Sequence, residues 1–147
     1  MSCHDIGRGM HSVIEVVIGL YDDGKISHES ASEIIKACRM GVHWCDGNEG
    51  EAIDTLAFTR CGACLQRIPE GNELYDLVNL YGLEVEQIDC KKIYNKAQDE
   101  LAYASLCGKC MDKIITEWTG KSEAASRIKK TLMEKYPKEC VSRKTQY

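Results

Sequence analysis

Two cysteine pairs offer the plainest chemistry in this sequence. Both are Cys-Gly-x-Cys: Cys61 with Cys64 in RCGACLQRIPEG, and Cys107 with Cys110 in LCGKCM. A Cys-x-x-Cys turn brings two sulfurs to one metal ion, and tetrahedral zinc accepts four thiolates. Glycine inside such a turn lets backbone amides fold back toward the sulfurs with no side chain in the way. One pair alone is a weak signal, whereas two matching pairs in one chain point to a shared four-cysteine site. Zinc is the expected metal, and spacing does not separate it from iron. A redox dithiol at each pair is a rival reading, but thioredoxin-like chemistry needs a βαβ setting that the pattern lacks. Plain burial of the thiols is the third reading.

Two further clusters mix sulfur, nitrogen and oxygen. Cys3, His4 and Asp5 stand in SCHDIGRG; His43, Cys45 and Asp46 stand in VHWCDGNEG. Cys3, His4, His43 and Cys45 could together supply a second metal site with an open position. A metal- or thiol-dependent enzyme would then use His4 or His43 as acid and base and Cys45 as nucleophile. The simpler reading has Cys45 and Trp44 packing, His43 capping the second helix, and the first nine residues as a loose tail. Among the other cysteines, Cys38 sits on an apolar helical face and is expected in the core. Cys90 precedes a helix, where a thiol pKa can fall. Cys140 stands in a charged tail and is expected to be exposed. His11 and His28 have no partner that spacing suggests.

The elements that must position these residues are mostly helical. Met10, Val13, Ile14, Val17, Ile18 and Tyr21 follow helical spacing, with a strand as the rival reading because the run is rich in β-branched residues, and Ala31, Ile34, Ile35 and Cys38 repeat the helical spacing. DDGK separates the two runs, predicting an antiparallel helical hairpin whose second helix is capped by Ser27, or by Ser30 with Glu33 as a capping box. The same turn does not fit a calcium loop, because Gly19 and Ser30 would fall where acidic oxygens are needed. Asn48 and Glu51 open a third helix with Ala52, Ile53, Leu56 and Ala57 inward. LQRIPEGNELYDLV predicts two short strands joined at Pro69–Asn72. A helix over 91–106 would face Ile93, Ala97, Leu101 and Ala104 inward. CGKCMDKIITEW opens another, with Met111, Ile114, Ile115 and Trp118 on one side and Gly120 as its end. A last helix runs from a cap at Ser122 to Tyr136, with Ala125, Ile128, Leu132 and Tyr136 on one face.

A cysteine knuckle, a β-hairpin and a helix carrying the last two ligands resemble the treble-clef and LIM-like class of zinc modules, or a plain zinc ribbon. The resemblance is architectural and covers about residues 58–118. It implies a structural metal with all four positions closed, ligated by Cys61, Cys64, Cys107 and Cys110. The 42 residues between Cys64 and Cys107 exceed those of a minimal ribbon, so the intervening helix reads as an insertion.

Composition narrows the class of protein. The chain has 147 residues, 29% of them charged, and nine cysteines. An odd cysteine count and an N-terminus without signal-peptide order argue against a secreted disulfide scaffold and for a cytoplasmic protein. No apolar run is long enough for a membrane span. Charge is uneven: residues 1–120 hold 11 Lys and Arg against 20 Asp and Glu, and residues 121–147 hold 8 against 3. The basic end could meet nucleic acid, but the acidic body opposes this and a solvated helix is the simpler reading.

The fold class expected is α+β and predominantly helical. An N-terminal helical hairpin and a third helix (1–58) pack on a four-cysteine zinc hairpin-and-helix module (59–120), and a basic helix and tail (121–147) close the chain. The expected function is that of a non-catalytic, zinc-binding interaction or regulatory protein. Its partner would be a protein, with nucleic acid and a homodimer as further expectations.

Overall fold

The structure is a computed structural model and describes residues 3–42, 59–137 and 139–140, without the side chains of 3–8 and 40–42. Helices α1 (Cys3–Asp22) and α2 (His28–Val42) form the expected hairpin. Ile14, Val17 and Ile18 bury against Ala31, Ile35 and Cys38, the i, i+3, i+4 and i, i+4, i+7 positions of the two helices. Gly24 turns the chain between them at φ +74°. α1 begins at Cys3 rather than Met10, so residues 3–9 are helical and not a loose tail. Ser27 caps α2: its Oγ accepts from the Ser30 amide at 3.1 Å. Ser30 therefore lies inside the helix, and the Ser30–Glu33 capping box does not form. Val13 and Ile34, expected inward, are exposed. The third helix expected from Asn48 lies outside the described residues.

Beyond Thr59 the expected hairpin is replaced by a longer-range pairing. The turn at Pro69–Asn72 is present, with the Asn72 amide donating to Pro69 O at 3.1 Å. The strand after it, β1 (Leu74–Asp76), pairs antiparallel with β2 (Ser105–Cys107), in the register Leu74↔Cys107, Tyr75↔Leu106 and Asp76↔Ser105. Residues 60–68 instead close on themselves through an Arg60↔Arg67 bridge and an Ile68 amide bond to Thr59 O at 2.9 Å. Their backbone groups are thus engaged before β1 begins. The edge beyond Gly71 is joined by the chain's far end: Glu73 bridges Glu139, and the Cys140 amide donates to Asn72 O at 2.8 Å. This pairing buries Cys140, whose thiol donates to Ile68 O at 3.1 Å, against the expectation of exposure.

A 3₁₀ turn (Leu77–Leu80) follows β1 and is capped by Asp76. Asp89 caps α3 (Cys90–Glu100) through the Lys92 amide at 3.0 Å. Cys90 is buried there, and burial raises its thiol pKa where helix position alone suggested lowering. α3 stops six residues short of the expected end. Leu101 to Leu106 are all buried, and a run covered on every side cannot keep a one-faced helical pattern. Its backbone bonds outward instead, the Leu77 amide reaching Ala104 O at 2.7 Å.

α4 (Gly108–Thr119) starts at the second cysteine pair and ends at Gly120, φ +73°, as expected. Met111 and Ile115 are its buried residues, while Ile114 and Trp118 are partly covered. α5 (Ser122–Lys135) buries Ala124, Ala125, Ile128 and Leu132 against α4 and leaves Tyr136 exposed. Lys121, not Ser122, holds its N-cap position, and its side chain caps no amide. Among the described residues the architecture is five α-helices and one two-stranded antiparallel sheet. None of those helices is long and apolar enough to cross a membrane.

The buried side chains form two clusters. One joins β1, β2, α3, α4 and α5. The other joins α1 and α2 to Leu65, Ala102 and Tyr103. The first cysteine pair lies where the two clusters meet.

Candidate metal centre

Cys61 to Leu65 make a tight turn. The Leu65 amide donates to Cys61 O at 2.9 Å and the Cys61 amide to Gln66 O at 3.0 Å. Inside it, the Ala63 amide points back to Cys61 Sγ at 3.4 Å, the amide-to-sulfur bond that supports a thiolate. Leu65 closes the turn at φ +60° with a fully buried side chain. Cys107 ends β2 and is the N-cap of α4, which places Cys110 in that helix's first turn. Two backbone bonds draw the pairs together. The Gly62 amide donates to Ser105 O at 2.6 Å, and the Ala102 amide donates to Gly62 O at 3.1 Å.

The result is one cluster. The sulfurs of Cys61, Cys64, Cys107 and Cys110 all lie within 4.8 Å of one another. A zinc ion with Zn–S bonds of about 2.3 Å holds its sulfurs about 3.8 Å apart, so the four are near the spacing that such an ion needs. Cys61 is buried, and the other three are half-buried. None of the seven cysteines whose side chains are described is in a disulfide.

As thiols, these groups contend for protons. Cys64 is drawn down to about 5, because the Cys61 thiol donates a hydrogen bond to its sulfur. Cys61 is held up as the donor in that bond and by burial. Cys110 is pushed up to about 12, first by burial and then by Cys107. Four thiolates this close repel one another, and a bound dication removes that conflict by replacing the protons. The donor set therefore suits a soft or borderline metal cation.

The turn is also gripped from outside by the α1–α2 hairpin. Tyr21 Oη donates to Cys64 O at 3.3 Å and accepts from Gln66 Nε2 at 3.1 Å. His28 Nε2 donates to Ala63 O. Arg60 donates twice to the Asp22 carboxylate, at 2.9 and 2.6 Å, and once to Leu65 O at 2.9 Å. The Arg60 hydrogen bonds hold the Asp22 carboxyl below its ordinary pKa. Tyr103 Oη, buried, donates to Arg60 O at 2.9 Å, and burial raises its pKa.

The chain matches no family model, no curated protein and no solved structure.

All four cysteines of the predicted ligand set meet in one place. His43 and Cys45 lie outside the described residues, as do the side chains of Cys3 and His4. Sequence reasoning missed Tyr21, Asp22, His28, Arg60 and Tyr103, the residues that hold the knuckle. Nothing in the spacing joins position 28 to position 63, since that contact exists only once the hairpin is docked. His11, also without a predicted partner, pairs with Glu15 one turn on at 3.3 Å.

Proposed function

We propose that this chain is a zinc-binding protein whose four-cysteine centre is structural, and that it acts as a non-catalytic interaction or regulatory protein. The observation that carries this reading is the convergence of two sequence-distant cysteine pairs on one point. Four protein ligands close a tetrahedron, leaving no position for a water or a substrate, and closed sites are structural. A knuckle, an antiparallel strand pair and a helix opening on the second cysteine pair support the treble-clef-like arrangement. A protein is favoured over nucleic acid as the partner. Two cations of α5 are engaged within the chain, Arg127 with Glu86 at 2.8 Å and Lys129 with Asp112 at 2.9 Å, which weakens α5 as a phosphate-binding surface.

Elemental analysis of the purified full chain, with thiols titrated before and after denaturation, tests the reading. One zinc per chain, with four thiols protected until zinc is removed, is the expected result. Iron in its place would keep the site and change the metal. No bound metal, or a metal retained by a Cys61→Ser, Cys107→Ser double variant, would refute it.

A further inference from the structure

We propose that the metal at the four-cysteine centre governs docking of the α1–α2 hairpin, so that loss of the metal releases the hairpin while the α3–α5 core stays folded. The inference rests on the structural-metal reading and adds a consequence to it.

Among the described residues, the hairpin is tied to the rest of the molecule at two places. One is the knuckle, through Tyr21 to Cys64 O, His28 to Ala63 O, Asp22 to Arg60, and the buried Leu65 side chain. The other is the segment after α3, through Arg39 Nη1 to Ala102 O at 2.8 Å, Lys36 to Asp99 O, and the buried Ala102 and Tyr103. The knuckle also holds that second place, because Gly62 bonds to both Ala102 and Ser105. Both attachments therefore depend on the shape of residues 60–66.

That shape needs support. Leu65 adopts a left-handed backbone conformation, which residues with a Cβ avoid. Cys61 and Cys64 flank its turn, and four sulfurs bound to one ion would fix it. The hairpin reads this conformation through three consecutive carbonyls, those of Ala63, Cys64 and Leu65, the last by way of Arg60 and Asp22. The other buried cluster includes no residue of α1 or α2, and Leu65 is not part of it. Met111, Ile115, Ile128 and Leu132 are fully buried within that cluster, to which the hairpin contributes nothing. Cys61 belongs to that cluster and Cys64, Cys107 and Cys110 pack against it, so a metal touches it at the knuckle and the start of α4, whereas both attachments of the hairpin run through residues 60–66.

Hydrogen–deuterium exchange of the full chain, with one equivalent of zinc and again after chelation, tests this. Allosteric couplings are commonly about 5–150-fold. We expect amides of 10–22 and 28–40 to exchange at least about fivefold faster after chelation, with those of 111–119 and 124–135 changed less than about twofold. Coupling is reciprocal, so a Tyr21→Phe, His28→Gln double variant, which removes bonds to knuckle carbonyls and none to a sulfur, should bind zinc several-fold more weakly in competition with a chelator. Equal loosening of both regions, or unchanged exchange in the hairpin, overturns the proposal and leaves the structural site standing. Unchanged zinc affinity in the double variant also overturns it. A chain that takes up no zinc overturns the metal reading and this inference together.

Discussion

The two Cys-Gly-x-Cys motifs look equivalent, yet their glycines do different work. A Cβ on Gly62 would stand 1.8 Å from the Tyr103 carbonyl oxygen and 2.6 Å from its carbon. Both are backbone atoms, so neither can swing aside. A Cβ on Gly108 would meet only the Tyr75 ring at 3.7 Å, an ordinary contact, and position 108 is helical. Gly62→Ala should therefore cost about 2–3 kcal/mol and break the backbone hydrogen bonds that draw the cysteine pairs together. Gly108→Ala should stay within about 1 kcal/mol of the native chain. Denaturant midpoints of the two zinc-loaded variants check this, and a tolerated Gly62→Ala would contradict the close approach. That the four cysteines meet at one point is legible in the sequence, because the two pairs have matched spacing. The reason for Gly62 is not, since its neighbour is 41 positions away.

Helices were legible where one face is apolar, and lost where the burial is all round. α2, α4 and α5 keep a one-sided pattern and are legible near their observed limits, whereas α1 is legible only from Met10 and its first seven residues are not. The failure at Leu101–Leu106 came from a segment buried on every side, where periodicity carries no information about helix or strand. β1 was found, but its partner was not, because pairing across 31 positions leaves no local trace. Caps were read less well, since several polar residues near a helix start compete for one role. α2 should lose about 1 kcal/mol on Ser27→Ala, because Ser27 supplies its capping oxygen. α5 offers the converse. Lys121 occupies the N-cap with extended backbone and no capping bond, so Lys121→Asn should stabilise the protein by about 0.5–1 kcal/mol. Thermal midpoints of the two variants should move in opposite directions.

Across the molecule, one ion pair makes hairpin docking sensitive to acid. Asp22 is held below its ordinary pKa by the Arg60 hydrogen bonds. A carboxylate lowered on folding stabilises the native state above its unfolded pKa of about 3.9, and that contribution fades as pH falls through the lowered native value. Asp22 is 42% exposed while Arg60 is 9% exposed, so solvent screens the carboxylate end and the contribution is modest. Asp22→Asn should remove part of the acid-induced loss of stability below about pH 4, read as unfolding free energy against pH beside the native chain. Protonation of the cysteine ligands would add its own acid limb, common to both proteins and cancelled in the comparison.

The sheet register carries a consequence in time. Cys107 stands opposite Leu74, and 42 residues separate it from Cys64. At about 5–20 residues per second of synthesis, the first thiol pair leaves the ribosome roughly 2–8 s before the second. Through that interval the nascent hairpin has only two of the four cysteines beside it. Final closure of the four-cysteine cluster thus waits on a segment made late, after the N-terminal third of the chain has left the ribosome.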